Sequence, residues 1–388
     1  MDKLKTGIKD GTKDFIFGEC KLQREICDAY LNLFEKWGYD EIKTPTIEFL
    51  NVFSGEKIDE MIRTDEIYMF TDEKNRLIAL RPDCTMPIAR VAATKLGNIQ
   101  APYRLCYSQN VFNATGQSHE CAQCGVELVG PDTLFSDIEI LNLAIKSQKI
   151  FFDKNFRIEI GHGKLFKILI EEFNIEEELA EKARKLIEHK NFAAIQEMKL
   201  PDEIKILPRM FGDVSVLDEY AKIVNKKSVC DILDYLKRIY DILVMNGYEE
   251  YVYFDLGIVH RLDYYTGIIF RSFVEGSGQT IISGGRYNNL LENYGNPFPA
   301  VGFGIAVDPV FERLKRDRIK KYAPDSLIYY EPECCAAAYE LANSLTEENK
   351  SIIFSSGLSE KDARTEAERR NIKAIYYLTK QGRRVEAL

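Results

Sequence analysis

Four short segments contain residue types that could bind a small polar ligand. The first is the run 80–85, in which Asp83 lies where a helix is expected to begin. An acidic side chain is favourable at the first turn because of the helix dipole, so Asp83 could serve only to stabilise that turn. Alternatively, Asp83 faces a cleft and accepts charge-assisted hydrogen bonds from the ammonium group of a ligand. Both interpretations are compatible with the sequence.

The second segment lies in a predicted strand at about 120–130. Because side chains alternate along a strand, Gln123, Gly125 and Glu127 lie on the same face. This polar face could simply contact solvent. It could instead form the floor of a pocket, in which an amide and a carboxylate bind a polar ligand.

The third and fourth segments combine tyrosines with glycines. Tyr264 and Tyr265 are adjacent in the run 262–267, and Tyr287 follows two glycines in the run 283–287. Paired tyrosines commonly pack in a core with a hydrated hydroxyl group, but they can also wall a small aromatic ligand. The two glycines either form a bend or allow the backbone to approach a neighbour closely.

Metal and nucleotide motifs are weak or absent in the sequence. Cys121 and Cys124 have the spacing of half a zinc site, but no second pair follows at a matching distance. His119 alone would not complete four ligands. Because no phosphate-binding glycine loop occurs either, we expect no metal and no bound cofactor.

Hydrophobic periodicity predicts three regions that would position these segments. Residues 1–163 and 249–318 alternate helices with strands, and together they suggest one α+β domain built on an antiparallel sheet. Residues 164–248 show one amphipathic helix after another without strand signals, which predicts a helical insertion. Residues 323–388 alternate strands with helices, which predicts a small α/β module with parallel pairing.

Composition limits the functional classes. The chain has 388 residues, 45% hydrophobic and 29% charged, as in a soluble globular protein of two or three domains. Its net charge of −9 gives no support for nucleic-acid binding. We expect no secretory signal in the first residues and no membrane span, since no apolar run approaches ~18 residues. Nine cysteines, an odd count, favour a reducing cytoplasm over a disulfide framework.

Over about residues 8–318, the order of these segments resembles that in the catalytic domain of histidyl-tRNA synthetase. Residues 34–45 are similar to motif 1 of class II synthetases, through which those enzymes dimerise. The matching motifs are Arg81-Pro82-Asp83-Cys84-Thr85, Val111-Phe112, Gln123-Cys124-Gly125-Val126-Glu127, Leu262-Asp263-Tyr264-Tyr265, Gly284-Gly285-Arg286-Tyr287 and Val301-Gly302-Phe303-Gly304. The resemblance implies an antiparallel sheet of six or seven strands flanked by helices.

The resemblance also implies a histidine-binding site. The carboxylate that matches Asp83 would hold the α-amino group of L-histidine, and Gln123 and Glu127 would complete the amino-acid site. Tyr264, Tyr265 and Tyr287 would surround the imidazole. Imidazole is flat and amphipathic with two distinct nitrogens, so aromatic walls and a carboxylate acceptor suit it.

The departures from the synthetase pattern fall on its ATP-binding arginines. Arginine is replaced by Asn113 directly after the motif 2 phenylalanine, and by Gln117 and His119 in the following loop. The motif 3 arginine aligns with Pro309, and the arginine before the Leu-Asp-Tyr-Tyr run aligns with His260. We expect these five positions to form a degenerate ATP site.

The energetic effect of these departures is large. Fixed guanidinium groups are suited to stabilising charge at the α-phosphorus of ATP. One charge-assisted hydrogen bond contributes ~1.5–3 kcal/mol, so losing three corresponds to roughly 5–9 kcal/mol. If these contributions add, the rate of adenylation falls by a factor on the order of 10⁴–10⁶. We therefore expect no catalytic residues in this chain.

A synthetase-like chain with these losses resembles the regulatory subunits of ATP phosphoribosyltransferase. That resemblance implies a homodimer within a hetero-octamer, a short-form catalytic subunit as partner, and L-histidine as regulatory ligand. The tail after Ala323 is shorter than a synthetase anticodon-binding domain and slightly acidic, so no tRNA binding is expected. Two alternatives stay open: an active histidyl-tRNA synthetase that uses Arg261 or other basic residues, and a synthetase-like binding module outside histidine biosynthesis.

Overall fold

The computed structural model describes residues 6–54, 64–116, 118–259, 265–276, 278–319, 323–355 and 359–388. The chain divides into two compact units. One consists of Met1–Asp14 and Glu25–Arg313, and the other of Phe15–Arg24 and Leu314–Leu388.

Twelve α-helices and sixteen strands occur within these ranges. The helices are α1 (Gly18–Lys36), α2 (Thr85–Thr94), α3 (Leu134–Phe152), α4 (Leu165–Glu172), α5 (Glu177–Glu188), α6 (Phe192–Gln196), α7 (Asp202–Lys205), α8 (Ser215–Val224), α9 (Lys227–Met245), α10 (Val307–Arg318), α11 (Cys335–Glu347) and α12 (Glu360–Arg370). The strands are β1 (Asp40–Glu41), β2 (Ile47–Phe49), β3 (Met69–Thr71), β4 (Leu77–Leu80), β5 (Tyr103–Phe112), β6 (Glu120–Val129), β7 (Phe156–His162), β8 (Phe211–Gly212), β9 (Val252–Asp255), β10 (Ile268–Val274), β11 (Thr280–Arg286), β12 (Ala300–Ala306), β13 (Ser326–Tyr330), β14 (Ile352–Phe354), β15 (Ala374–Thr379) and β16 (Gly382–Ala387).

The first unit is built on a nine-stranded sheet in the order β1-β5-β6-β12-β11-β10-β7-β9-β8. Its central strands pair antiparallel, but β1 runs parallel to β5 and β9 runs parallel to β7. The sheet is therefore mixed, and it is larger than the antiparallel sheet of six or seven strands that the sequence predicted. One additional strand, β8, has only two residues, which are too few to show a hydrophobic period.

Helices cover one face of this sheet. Phe303 of β12 makes an edge-to-face contact with Phe34 of α1, at 5.9 Å between ring centroids, and packs against Phe270 of β10 at 6.2 Å. Helix α3 begins at a capping box formed by Thr133 and Ser136, and its buried residues occur on all sides. These aromatic and aliphatic contacts form the core between the helices and the face of the sheet that they cover.

The segment between β7 and β9 contains helices α4 to α9. It also contains β8, which pairs antiparallel with β9 at Asp255 and Phe254. The prediction that this segment lacks strands was wrong at these two residues. The long connection has a clear role, since parallel neighbours such as β7 and β9 need a crossover of a dozen or more residues.

The second unit contains a four-stranded sheet in the order β14-β13-β15-β16. Strand β13 pairs parallel with both β14 and β15, as in an α/β module, while β16 adds an antiparallel edge that the sequence did not predict. Helix α11 packs on Ile328 and Leu378, and α12 packs on Leu327 and Ile375. Because successive residues of a strand point to opposite faces, the two helices cover the two faces of the sheet.

Among the described residues, no helix is long and apolar enough to cross a membrane.

Candidate functional site

Glycines form the floor of the candidate site on the face of the large sheet opposite the aromatic core. The strand register places Gly125 of β6 beside Gly304 of β12, and Gly302 of β12 beside Gly285 of β11. These residues therefore share one face of the sheet. A Cβ atom at Gly302 would lie 1.8 Å from Oε2 of Glu127, so only glycine leaves room for that carboxylate.

Glu127 lies on this floor, at the register position beside Gly302. Its side chain is only 1% exposed. Thr85 Oγ1 donates a hydrogen bond to Oε1 at 2.9 Å, and the hydroxyl of Tyr287 donates to Oε2. Burial raises the pKa of Glu127 to about 8, although both hydrogen bonds oppose that shift and the charge of Asp83 adds to it.

Asp83 precedes α2 and accepts a hydrogen bond from the backbone N–H of Met86 at 3.0 Å. This contact is the helix-start role that the sequence allowed. Burial nevertheless raises the pKa of Asp83 to about 6, and the N–H groups of Met86 and Thr85 only partly offset that rise. Because its charge also influences Glu127, the two carboxylates share one electrostatic environment.

Two of the three predicted tyrosines lie in the described part of the chain. Tyr287 is buried and bonds Glu127, while the ring of Tyr265 packs over Gly285 so closely that a Cβ atom there would lie 2.6 Å from Cδ1. Burial raises the pKa of Tyr265, and the charges of Glu127 and Asp83 raise it further. Tyr264 lies outside the described residues.

Gln123 occupies the same face of β6 as Glu127, and its Oε1 accepts a hydrogen bond from the hydroxyl of Tyr107 at 3.3 Å. Sequence analysis missed Tyr107, which is fully buried beside Gly125 in the register of β5 and β6. It also missed the contact between Thr85 and Glu127. A tyrosine at an alternate position of β5 was the available signal, but the sequence does not reveal which residue of β6 it faces.

Two predicted positions of the degenerate ATP site meet at the loop between β5 and β6. The N–H of Asn113 donates to the carbonyl of His119 at 3.0 Å, and the N–H of His119 donates to the carbonyl of Gly11 at 2.6 Å. The ring nitrogen Nδ1 of His119 lies 2.6 Å from both the Tyr68 hydroxyl and Lys9 Nζ. Gln117 and His260 lie outside the described residues.

Pro309, the third described position of that site, lies in the first turn of α10. The preceding Asp308 pairs with Lys13 at 3.2 Å and accepts a hydrogen bond from Ser118 Oγ at 3.4 Å. The start of α10 is thus connected to the loop that carries His119. The three described positions carry an amide, an imidazole and a pyrrolidine ring. None of these groups can bind a phosphate through the paired N–H donors of a guanidinium group.

Comparison with known proteins decides the family. The family model described as histidyl-tRNA synthetase matches residues 11–310. A relative from Clostridium kluyveri, an ATP phosphoribosyltransferase regulatory subunit, is 36% identical over 95% of this chain and 98% of its own length. A protein of the same description from Bacillus cereus is also 36% identical, over 92% of this chain and 87% of its own length.

The chain belongs to the ATP phosphoribosyltransferase regulatory subunit family. A solved structure from Bacillus halodurans, described as an ATP phosphoribosyltransferase regulatory subunit/histidyl-tRNA synthetase, matches 96% of this chain and 98% of its own with a TM-score of 0.85 and 27% identity. The histidyl-tRNA synthetase of a Nostoc species matches 98% of this chain and 96% of its own with a TM-score of 0.81 at 18% identity, which shows the fold alone. The predicted class II synthetase-like α+β fold is confirmed.

The candidate site contains several acceptors for a small cationic ligand. No group of three or more potential metal-binding side chains occurs in the described ranges of the chain. Cys121 and Cys124 do not converge, because residues three apart on a strand point to opposite faces. The buried carboxylate of Glu127, the half-buried carboxylate of Asp83, two phenol groups and an amide can together accept an ammonium group and an imidazole N–H.

Proposed function

We propose that this chain is the regulatory subunit of an ATP phosphoribosyltransferase, which catalyses the first step of histidine biosynthesis in the cytoplasm. A short-form catalytic subunit requires it for activity, and L-histidine inhibits the complex through it. The descriptions of its relatives support the role as a regulatory subunit. The observation that carries the histidine site is the pair of carboxylates, Asp83 and Glu127, beside a glycine floor: Glu127 is buried, Asp83 is half-buried, and both have raised pKa values.

The ligand assignment follows from charge. An ammonium group bound at this site would compensate two carboxylates whose ionisation is disfavoured by burial and, for Glu127, also by the charge of Asp83. Asp83 would hold the α-ammonium group, and Gln123 and Glu127 would complete the site. Tyr264, Tyr265 and Tyr287 would surround the imidazole ring.

We further propose that the chain catalyses no adenylation and binds no tRNA. The absence of arginine at Asn113, Gln117, His119, His260 and Pro309 supports this proposal. An active histidyl-tRNA synthetase remains the second candidate, because the histidyl-tRNA synthetase family model matches residues 11–310. Histidine-dependent exchange of pyrophosphate into ATP separates the two candidates: the regulatory assignment predicts no exchange.

Three segments would serve these roles. Residues 1–163 and 249–318 would form the synthetase-like domain, 164–248 a helical insertion and 323–388 a small C-terminal module. The synthetase-like domain would form the homodimer of a hetero-octamer. An apolar face on the three-stranded sheet β2-β4-β3 supports self-association, because Ile47, Phe49 and Phe70 are 42–48% exposed there.

Reconstitution with a short-form catalytic subunit tests the proposal. We expect phosphoribosyl transfer only when both chains are present, and we expect L-histidine to inhibit it. The Glu127→Gln variant should still activate the catalytic subunit but should lose inhibition by histidine. Glu120→Gln provides a matched control, because Glu120 is an exposed carboxylate on the same strand. A catalytic subunit that is equally active alone, or inhibition that survives Glu127→Gln, would contradict the proposal.

A further inference from the structure

A cavity of about 530 Å³ lies in the first unit, where β7, β9 and β10 meet the helical segment. Four basic side chains line it, but only two acidic ones. The basic side chains are Arg157, Lys190, Arg209 and Arg271, and the acidic ones are Glu159 and Asp255. The cavity thus carries an excess of positive charge in a chain whose net charge is −9.

The two carboxylates form a buried, fully paired floor. Glu159 is 3% exposed and Asp255 is 1% exposed. Arg271 joins them, with Nε 2.9 Å from Glu159 and Nη2 3.0 Å from Asp255. Lys190 pairs with Asp255 at 2.7 Å, and Arg157 pairs with Glu159 at 3.0 Å. The floor therefore offers no free carboxylate that would repel an anion.

The rim of the cavity retains cationic and aromatic groups. Within the described ranges, Arg209 is exposed and forms no ion pair; its guanidinium lies 5.7 Å from the ring centroid of Phe192. Arg157 lies 5.4 Å from the ring of Phe211, and half of its side chain is exposed. Phe192 and Phe211 are 38% and 39% exposed, so both rings can still contact a ligand.

We propose that this cavity binds a nucleoside phosphate. Arg209 and Arg157 would bind the phosphate oxygens, because guanidinium groups match phosphate geometry. Phe192 and Phe211 would contact the base, since aromatic rings stack on nucleobases without strong sequence preference. A cavity of this volume lies within the range of small-molecule sites, ~300–1,000 Å³.

This site is separate from the candidate histidine site but belongs to the same sheet. In the strand register, Arg271 of β10 faces Ser283 of β11, and Ser283 faces Gly304 of the glycine floor. Two strand spacings therefore separate the buried floor of the cavity from the floor of the candidate histidine site. A nucleotide here would be a second ligand of the chain, independent of the degenerate ATP site.

Calorimetric titration of the purified full chain with AMP, without histidine or a catalytic subunit, tests the proposal. We expect saturable binding that Arg209→Gln weakens at least about tenfold, which corresponds to ~1.4 kcal/mol of binding free energy. Phe211→Ala should weaken binding by a similar factor. Arg238→Gln and Phe135→Ala are matched controls, since both residues are exposed elsewhere in the unit, and they should leave the affinity unchanged. Thermal melts of all four variants monitor folding.

Titrations with inorganic phosphate alone and with adenosine alone measure the separate affinities of the cavity for the phosphate and for the nucleoside. We expect each to bind more weakly than AMP, because each lacks one set of contacts. No binding of AMP at millimolar concentration overturns the proposal, as does binding that neither Arg209→Gln nor Phe211→Ala affects. If these variants instead bind AMP normally but fail to associate with a catalytic subunit, the surface is a protein interface and the nucleotide assignment is wrong.

Discussion

Glu127 has the most unusual electrostatic environment of the candidate site. A pKa of about 8 keeps its carboxyl group mostly protonated near neutral pH, and the pKa of Asp83 is also raised, to about 6. A bound ammonium group would stabilise the ionised forms of both side chains and lower both pKa values. Binding of a cationic ligand and release of a proton are therefore linked at this site.

This linkage predicts that histidine binds more tightly as the pH rises from about 7 to 8. Below its pKa, Glu127 must lose a proton before it pairs with the ligand, which costs about tenfold in affinity for each pH unit. The imidazole of free histidine is mostly neutral over this range. Calorimetry at several pH values, in two buffers with different ionisation enthalpies, measures both the affinity and the number of protons released.

The Glu127→Gln variant is the control for this pH dependence. It keeps the shape of the side chain but cannot ionise, so the binding that remains should vary little with pH above 7. An affinity of the original chain that is constant from pH 7 to 8, or binding without proton release, would contradict the assignment of Glu127 to the ligand.

The alternation of side chains along a strand predicted part of the site at the scale of single residues. Gln123, Gly125 and Glu127 were predicted to share a face, and they do, because the side-chain period of a strand is independent of its neighbours. The contacts of Tyr107 with Gln123 and of Thr85 with Glu127 join different elements. They depend on strand register and helix placement, which no local pattern in the sequence specifies.

At the scale of elements, β12 leaves room for the side chains of Glu127 and Gln123 by having glycine at two positions of one face. A Cβ atom at Gly302 would lie 2.4 Å from the carbonyl oxygen of Val126 as well as 1.8 Å from Glu127. A Cβ atom at Gly304 would meet only side chains, with Gln123 Nε2 nearest at 3.0 Å. Backbone cannot move aside as easily as the end of a flexible side chain.

We therefore expect Gly302→Ala to lower the free energy of unfolding by about 1–3 kcal/mol, the usual cost of overpacking, and to abolish histidine binding. Gly304→Ala, two residues along the same strand, should change stability by less than about 1 kcal/mol. Urea denaturation and calorimetry measure the two effects. Equal free energies of unfolding for the two variants would show that the backbone contact at Gly302 does not make a Cβ atom at that position costly.

The longest elements were the easiest to predict from sequence, and the shortest were missed. Strands β5 and β6 each span ten residues, long enough for the sequence to indicate a strand. Strand β8 has two residues and depends on pairing with β9, so no local period could reveal it. Leu291–Tyr294 form only a short 3₁₀-helix, which follows the hydrogen bond from Tyr287 to Glu127.

At the scale of the whole molecule, motif order predicted the fold where local patterns could not. The resemblance gave the sheet and its flanking helices, but it did not predict two parallel pairs or nine strands. Those features arise because β1 and β9 join the sheet through long connections. For β9 that connection is the helical segment from Leu165 to Met245, which no short-range pattern relates to sheet topology.

Self-association is the last property of the whole molecule that the structure makes testable. The register of β2, β4 and β3 aligns Phe49, Ile78 and Phe70 on one face of the three-stranded sheet. Phe49 is 47% exposed, with the Arg76 guanidinium 4.6 Å from its ring centroid, and Phe70 is 42% exposed, so pairing with a second copy would remove apolar surface from water.

We expect the double substitution Phe49→Glu and Phe70→Glu to convert the proposed homodimer to a monomer, because two carboxylates on each copy would have to be removed from water. Sedimentation equilibrium should report a halved mass, while circular dichroism should stay unchanged, since both side chains already contact solvent. Phe135→Glu is the control: Phe135 is 74% exposed on α3, and its substitution should leave the dimer intact. A dimer that survives the double substitution would place the interface on another surface.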